Sequence, residues 1–174
     1  MSVLLLNARP PLGHELAGRL LVQDDEVRVV ETDPAAVEGW RSLGVHVAPA
    51  GDVDADLVER AAQGCRSVVL FEDGPLELEA IAGVALEGAT HARVERLIVA
   101  GREPNPRLVA LLSGASLQFV VLWSGRSRLL KQPVAVAAVA EAIDAADDLG
   151  GEPKLELDLR KPESWRALML EHHA

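Results

Sequence analysis

Tyrosine is absent from this chain, and cysteine occurs once, at Cys65. The first absence removes the phenol as a proton donor in any catalytic scheme. The second forbids an intrachain disulfide and leaves a buried structural thiol as the simplest role for Cys65. Surplus positive charge is missing too. The formal net charge is −10, which argues against nucleic acid and anionic membranes as partners, since both call for a basic face. No apolar run reaches membrane-spanning length, and Met1-Ser2 leads straight into a strand-like stretch, so a cytoplasmic location is expected. A Walker phosphate loop and a Gly-x-Ser-x-Gly elbow are likewise missing. The five histidines show no metal-ligand spacing; His172 and His173 are merely adjacent near the end.

What is present reads as one globular domain over residues 1–174. Apolar residues make up 49% and charged residues 25%, an ordinary balance for a single core. No repeat, linker or low-complexity segment interrupts it.

The first third carries the most information. Val3–Leu6 is a short apolar run, followed by the turn Asn7-Ala8-Arg9-Pro10-Pro11-Leu12-Gly13. An amphipathic stretch from His14 to Val22 comes next, then a second apolar run, Val27–Val30, closed by Glu31-Thr32-Asp33-Pro34. Strand, turn, helix, strand, acid is the layout of a dinucleotide-binding unit. Its turn normally holds three glycines at fixed spacing. Here only Gly13 remains, and Asn7 and Pro10 stand where the first two belong.

The alternation continues to the end. Asp33-Pro34 is expected to open a helix through Val37, Trp40 and Leu43 that stops at Gly44. Strand-like runs follow at Val45–Val47, Ser67–Phe71, Arg96–Ala100 and Leu117–Trp123, with a late one at Leu155–Leu159. Helical stretches cover Ala55–Ala62, capped by Asp54, then Leu76–Leu86, Pro106–Leu112, Val134–Leu149 and Pro162–Glu171. Ser67–Phe71 is continuously apolar, as a strand buried on both faces must be. The pattern predicts an α/β fold: a doubly wound, mainly parallel sheet of five or six main strands with helices on both faces.

Several short segments carry a family resemblance. Leu12-Gly13-His14-Glu15-Leu16-Ala17, Val29-Val30-Glu31-Thr32-Asp33-Pro34, Pro49-Ala50-Gly51-Asp52-Val53 and Gly64-Cys65-Arg66-Ser67-Val68-Val69 occur in order. So do Leu117-Gln118-Phe119-Val120-Val121-Leu122 and Val134-Ala135-Val136-Ala137-Ala138-Val139-Ala140. Together they resemble the short-chain dehydrogenase/reductase superfamily in its atypical, epimerase-like or NmrA-like branch, over nearly the whole chain. The resemblance implies a Rossmann-like NAD(P)-binding domain, with residues 150–174 as a reduced remnant of the substrate region.

It also implies site residues. Gly13 matches the third glycine, whose task is close helix–strand packing. Pro10 matches the second, where the cofactor comes nearest, yet proline offers no N–H and adds a ring. Two readings follow: a loop remodelled for a smaller or differently posed ligand, or one that has lost binding. Arg9 is the cation beside this loop, set either to meet a phosphate or to sit in solvent. Glu31 stands where an acid accepts from the ribose hydroxyls of NAD and repels the 2′-phosphate of NADP. Asp33 is the competing acid and is read first as a helix cap. Asp52 and Val53 match positions beside the adenine, with Asp52 equally readable as a turn residue. The expected cofactor-binding set is therefore Asn7, Arg9, Gly13, Glu31, Asp52 and Val53, for NAD or another adenine nucleotide; no metal site is expected.

The resemblance implies a catalytic Tyr with a Lys four residues on and a Ser after the fifth strand. Ala100-Gly101-Arg102 occupies the Ser region and Asn105 lies near the Lys position. No catalytic residues are assigned. His14, His46 and His91 are read as surface or capping residues. Glu72-Asp73, after the fourth strand, is hostile to phosphates. The sequence therefore points to a non-catalytic module that binds a nucleotide weakly or acts through a homodimer or protein partner. The alternatives are an NAD(P)-dependent oxidoreductase or epimerase with displaced catalytic groups, and a purely structural subunit.

Overall fold

Apolar runs with no polar face must be covered on both sides, and the strands of this chain are arranged accordingly. A computed structural model describes residues 1–125, 134–150 and 154–164, together with Arg166 and Leu168. The strands are β1 (Ser2–Leu6), β2 (Glu26–Glu31), β3 (His46–Pro49), β4 (Ser67–Phe71), β5 (Arg96–Gly101), β6 (Gln118–Trp123) and β7 (Lys154–Asp158). They form one sheet in the order β3-β2-β1-β4-β5-β6-β7, and every neighbouring pair is parallel. The doubly wound α/β expectation holds, but the sheet has seven strands rather than five or six. The added strands are the edges. β7 reads Lys-Leu-Glu-Leu-Asp and β3 has no fully buried residue, so neither looks like a main strand by composition. Pairing supplies what apolar content does not: Val120 meets Leu155 and Leu122 meets Leu157 across the β6–β7 ladder, and Trp123 Nε1 donates to Glu156 at 2.7 Å.

The helices are α1 (Leu12–Val22), α2 (Val37–Ser42), α3 (Ala55–Ala62), α4 (Leu78–His91), α5 (Pro106–Ser113) and α6 (Val136–Asp147). Alternate strand residues divide between two cores. Val3, Leu5, Val29, Val69, Ile98 and Val120 face α1, α6 and Trp40 of α2. Leu4, Leu6, Val68, Leu70, Val99 and Val121 face α3, α4 and α5. Leu159 and Leu168, beyond β7, are buried in the first core. Of the terminal helix expected over 162–171, residues 162–164, Arg166 and Leu168 are helical and the rest lie outside the described residues, as do His172 and His173.

Side-chain caps set two of the six described helix starts, those of α3 and α5, where the sequence puts them. Asp54 Oδ1 accepts from Leu57 N at 2.7 Å, and Asn105 Oδ1 accepts from Arg107 N and Leu108 N. Asp33 behaves differently. Its Oδ1 accepts from Ala35 N at 2.9 Å and its carbonyl from Ala36 N, so Pro34–Ala36 forms a turn and α2 begins only at Val37. α4 runs past Leu86 to His91 because Gly88 and Ala89 stay buried.

One buried charge ties the amino-terminal edge together. Arg96 opens β5 and is 3% exposed. Its guanidinium donates to the carbonyls of Ala146 (2.7 Å), Asp147 (2.9 Å) and Leu149 (2.6 Å), the end of α6, and to Gln118 Oε1. A cation at a helix carboxyl end also meets the negative pole of the helix dipole. Beside it Arg66 pairs with Asp147 and with Asp148 at 3.1 Å. Arg96→Met should leave three carbonyls without their donor and lower unfolding stability by about 3 kcal/mol or more, read from urea denaturation. A loss within experimental error would show that α6 does not depend on this residue.

Candidate functional site

The order of the strands reverses between β1 and β4, and ligands of open α/β sheets bind outside the carboxyl ends at such a point. Four loops meet there, those after β1, β2, β3 and β4. Asn7 ends β1 with φ +57°, a left-handed conformation that asparagine tolerates. Its buried carboxamide Nδ2 donates to Phe71 O at 2.8 Å and to Leu76 O at 3.0 Å. Its Oδ1 accepts from Leu76 N at 3.0 Å. The side chain thus pairs with the backbone of Leu76 at both ends of its amide. Gly74 closes the same contact. A Cβ at Gly74 would lie 2.0 Å from Asn7 Oδ1 and 2.1 Å from Asn7 O, so only glycine lets the loop seat this low.

Among the described residues, what remains between these loops is small. A cavity of about 10 Å³ is lined by Asn7, Glu31, Val53, Pro75 and Leu76, among others. That is room for about one water, whereas small-molecule sites run from roughly 300 Å³ upward.

Glu31 lies on the other wall and is 5% exposed. Oε2 accepts from Trp40 Nε1 at 2.9 Å and Oε1 from Asp33 N at 2.8 Å. Both oxygens of the expected ribose acceptor are therefore engaged within the protein. Trp40 is itself buried, and its ring lies against Gly13: a Cβ there would come within 2.9 Å of Trp40 Cη2 and 3.1 Å of Ala8 Cβ. Gly13 thus serves close packing, as its place in the motif implies, with the indole as the main neighbour. His14 meets the same ring edge-on, centroids 4.5 Å apart at 80°. The N–H of Gly13 donates to Arg9 O at 2.9 Å and that of Glu15 to Pro11 O at 3.0 Å, so these amides turn inward.

The remaining expected residues are accounted for. Arg9 Nη1 lies 3.5 Å from Asp33 Oδ2; this half-exposed pair links two loops and contributes under about 1 kcal/mol. Asp52 is exposed and its Oδ1 accepts from Val53 N at 2.8 Å, the turn role. Val53 is half-buried at the cavity. Asn7, Glu31 and Val53 are thus brought together, Arg9 and Gly13 flank them, and Asp52 faces water. Sequence reasoning missed Trp40, Gly74 and Leu76 as members of this site. Gly74-Pro75 is legible as a turn, but the partners of Trp40 and Leu76 leave no local signal.

A larger groove of about 720 Å³ opens one strand further along, between the loops after β4 and β5. Glu72, Glu77, Glu79 and Glu103 line it together with Asn105 and Arg107. Glu72 accepts from Arg102 N, Asp73 pairs with the Arg102 guanidinium, and Asn105 Nδ2 donates to Glu79 at 3.0 Å. This surface repels phosphates. Among the described residues no group of three or more His, Cys, Asp or Glu side chains is placed to hold a metal ion. No helix among them is long and apolar enough to cross a membrane. The thiol of Cys65 is buried, and burial pushes its pKa up to about 11.

No family model matches this sequence, and no curated protein matches it. Solved structures do. An anaerobilin reductase of Escherichia coli O157:H7, ChuY, superposes with TM-score 0.72 at 15% identity, over 91% of this chain and 96% of its own. Citrobacter triphenylmethane reductase, solved with NADP(H), gives TM-score 0.72 at 12% identity over 91% and 70%. An NADPH-dependent quinone oxidoreductase of Escherichia coli gives 0.69 at 13% identity over 90% and 67%. The likeness is one of fold. It agrees with the resemblance to the atypical dehydrogenase branch.

Two outcomes follow from this geometry. Trp40→Phe keeps an aromatic ring but removes the indole donor from a buried carboxylate, and should destabilise the fold by about 1–3 kcal/mol in denaturant titration. An unchanged midpoint would mean Glu31 does not rely on Trp40. Cys65 should react with a disulfide reagent at pH 8 on the order of 100-fold more slowly than in unfolded protein, because so little thiolate is present. Equal rates would contradict the buried placement.

Proposed function

We propose that this protein is a non-catalytic member of the reductase-type Rossmann fold, acting as a regulatory or protein-interaction module whose nucleotide affinity is weak. The observation that carries this reading is the closed cleft. Asn7 occupies the first glycine position and binds its own chain, Glu31 is bound by Trp40 and Asp33 N, and about 10 Å³ is left between them. The chain has no tyrosine to pass a proton in step with hydride transfer. Pro10 and Pro11 offer no N–H to a pyrophosphate, and each lost bond to a charged group is worth about 1.5–3 kcal/mol. Any nucleotide that enters should lack a 2′-phosphate, since the Glu31 carboxylate repels one. A homodimer or a protein partner would then convey the function.

One observation favours the alternative, an NAD(P)-dependent reductase with displaced catalytic groups. The anaerobilin reductase is covered over 96% of its length by this fold. Turnover separates the two. With NADH or NADPH and a panel of aldehydes, ketones, quinones and anaerobilin, rates should stay at the level of denatured protein. Calorimetry with NAD, NADP and AMP should show only weak binding, with NADP the weakest. Turnover above control, or submicromolar affinity for NAD, would establish the reductase reading instead.

A further inference from the structure

We infer that the Asn7 carboxamide is an autoinhibitory latch that holds the loop after β4 across the adenosine side of the cleft. The inference rests on the closed-cleft reading above and names the contact responsible. Asn7 joins the two loops that a ligand at the reversal point must separate, its carboxamide bonding to Phe71 once and to Leu76 twice. The pairing is local to the mouth. The walls behind it are built independently: Glu31 is held by Trp40 and Asp33 N, and Val53 packs into the second core. Removing the latch therefore leaves the walls standing. Besides Asn7, the loop is held by the side chain of Leu76, partly buried against the second core, and at its start by Glu72 N donating to Ala100 O at 3.0 Å. Asp73 is exposed and meets Arg102 at the surface, Pro75 is exposed, and Gly74 is seated by its approach to Asn7. Leu78, where α4 begins, is buried and fixes the far end of the segment. Asn7 supplies the polar contacts that draw this segment across the mouth, and without them only the partly buried Leu76 and the surface Asp73–Arg102 pair hold its middle.

The latch can be removed from either side. Asn7→Gly keeps the left-handed backbone, which glycine adopts freely, and deletes the carboxamide. Gly74→Ala leaves Asn7 intact and places a methyl where the Asn7 oxygens now lie, so the loop cannot seat. Hydrogen exchange should show the Leu76 amide at least about tenfold faster in both variants than in the unaltered protein, with the β-strand amides unchanged. AMP and NAD should bind both variants at least about tenfold more tightly, and the added Glu31→Ala change should remove the preference for NAD over NADP. If the unaltered protein binds NAD at submicromolar concentration, the closed-cleft reading fails and the latch with it. If it binds weakly and both variants exchange and bind as it does, the latch alone is overturned. Should Asn7→Gly fail to fold, Gly74→Ala decides the matter by the same two measurements.

Discussion

The loops after β1 and β4 are joined by the side chain of one residue, Asn7, whose carboxamide reaches the backbone of Phe71 and Leu76. The side chain of Asn7 forms the equivalent of a single ladder step with Leu76, donating to its carbonyl and accepting from its amide. Each such bond is worth only about 1 kcal/mol net, but a buried amide left without partners costs more than the bond itself. The loops are therefore kept together by the penalty of separating them. The low seat of Gly74 and the small cavity both follow from this contact.

The opposite wall is organised by the same rule. A carboxylate that is 5% exposed must find donors, and Glu31 finds them in the Trp40 indole and the backbone of Asp33. The indole then needs a place to lie, which the missing side chain at Gly13 supplies. A residue type that serves ribose recognition elsewhere in this fold is here built into a folded-state network. Asn7 and Glu31, the two polar side chains that line this cavity from β1 and β2, both have intramolecular partners, and fold alone does not define function.

At the far edge of the sheet a second polar network has a purely architectural effect. Arg96 satisfies the last carbonyls of α6, and Arg66 engages Asp147 and Asp148. Burial lowers the pKa of Arg96 from that of a free guanidinium, yet three carbonyls keep the charge in place. The α6 helix is thus fixed at its carboxyl end and packs against α1.

The elements themselves are legible in the chain. Apolar runs separated by capped helices reveal a doubly wound parallel sheet, because strands buried on both faces must be apolar throughout. The two edge strands are less so, since β7 alternates with charge and depends on pairing to β6. The composition of the turn after β1 is also readable: Asn7, Pro10 and Gly13 at three-residue spacing are facts of sequence. Which groups would bind one another is not. Asn7 meets residues 64 and 69 positions away, and Glu31 meets an indole on the following helix. Hydrophobic burial is periodic and can be read locally. The satisfaction of a buried polar group is set by whichever donor the topology brings within about 3 Å, and only the tertiary structure decides that.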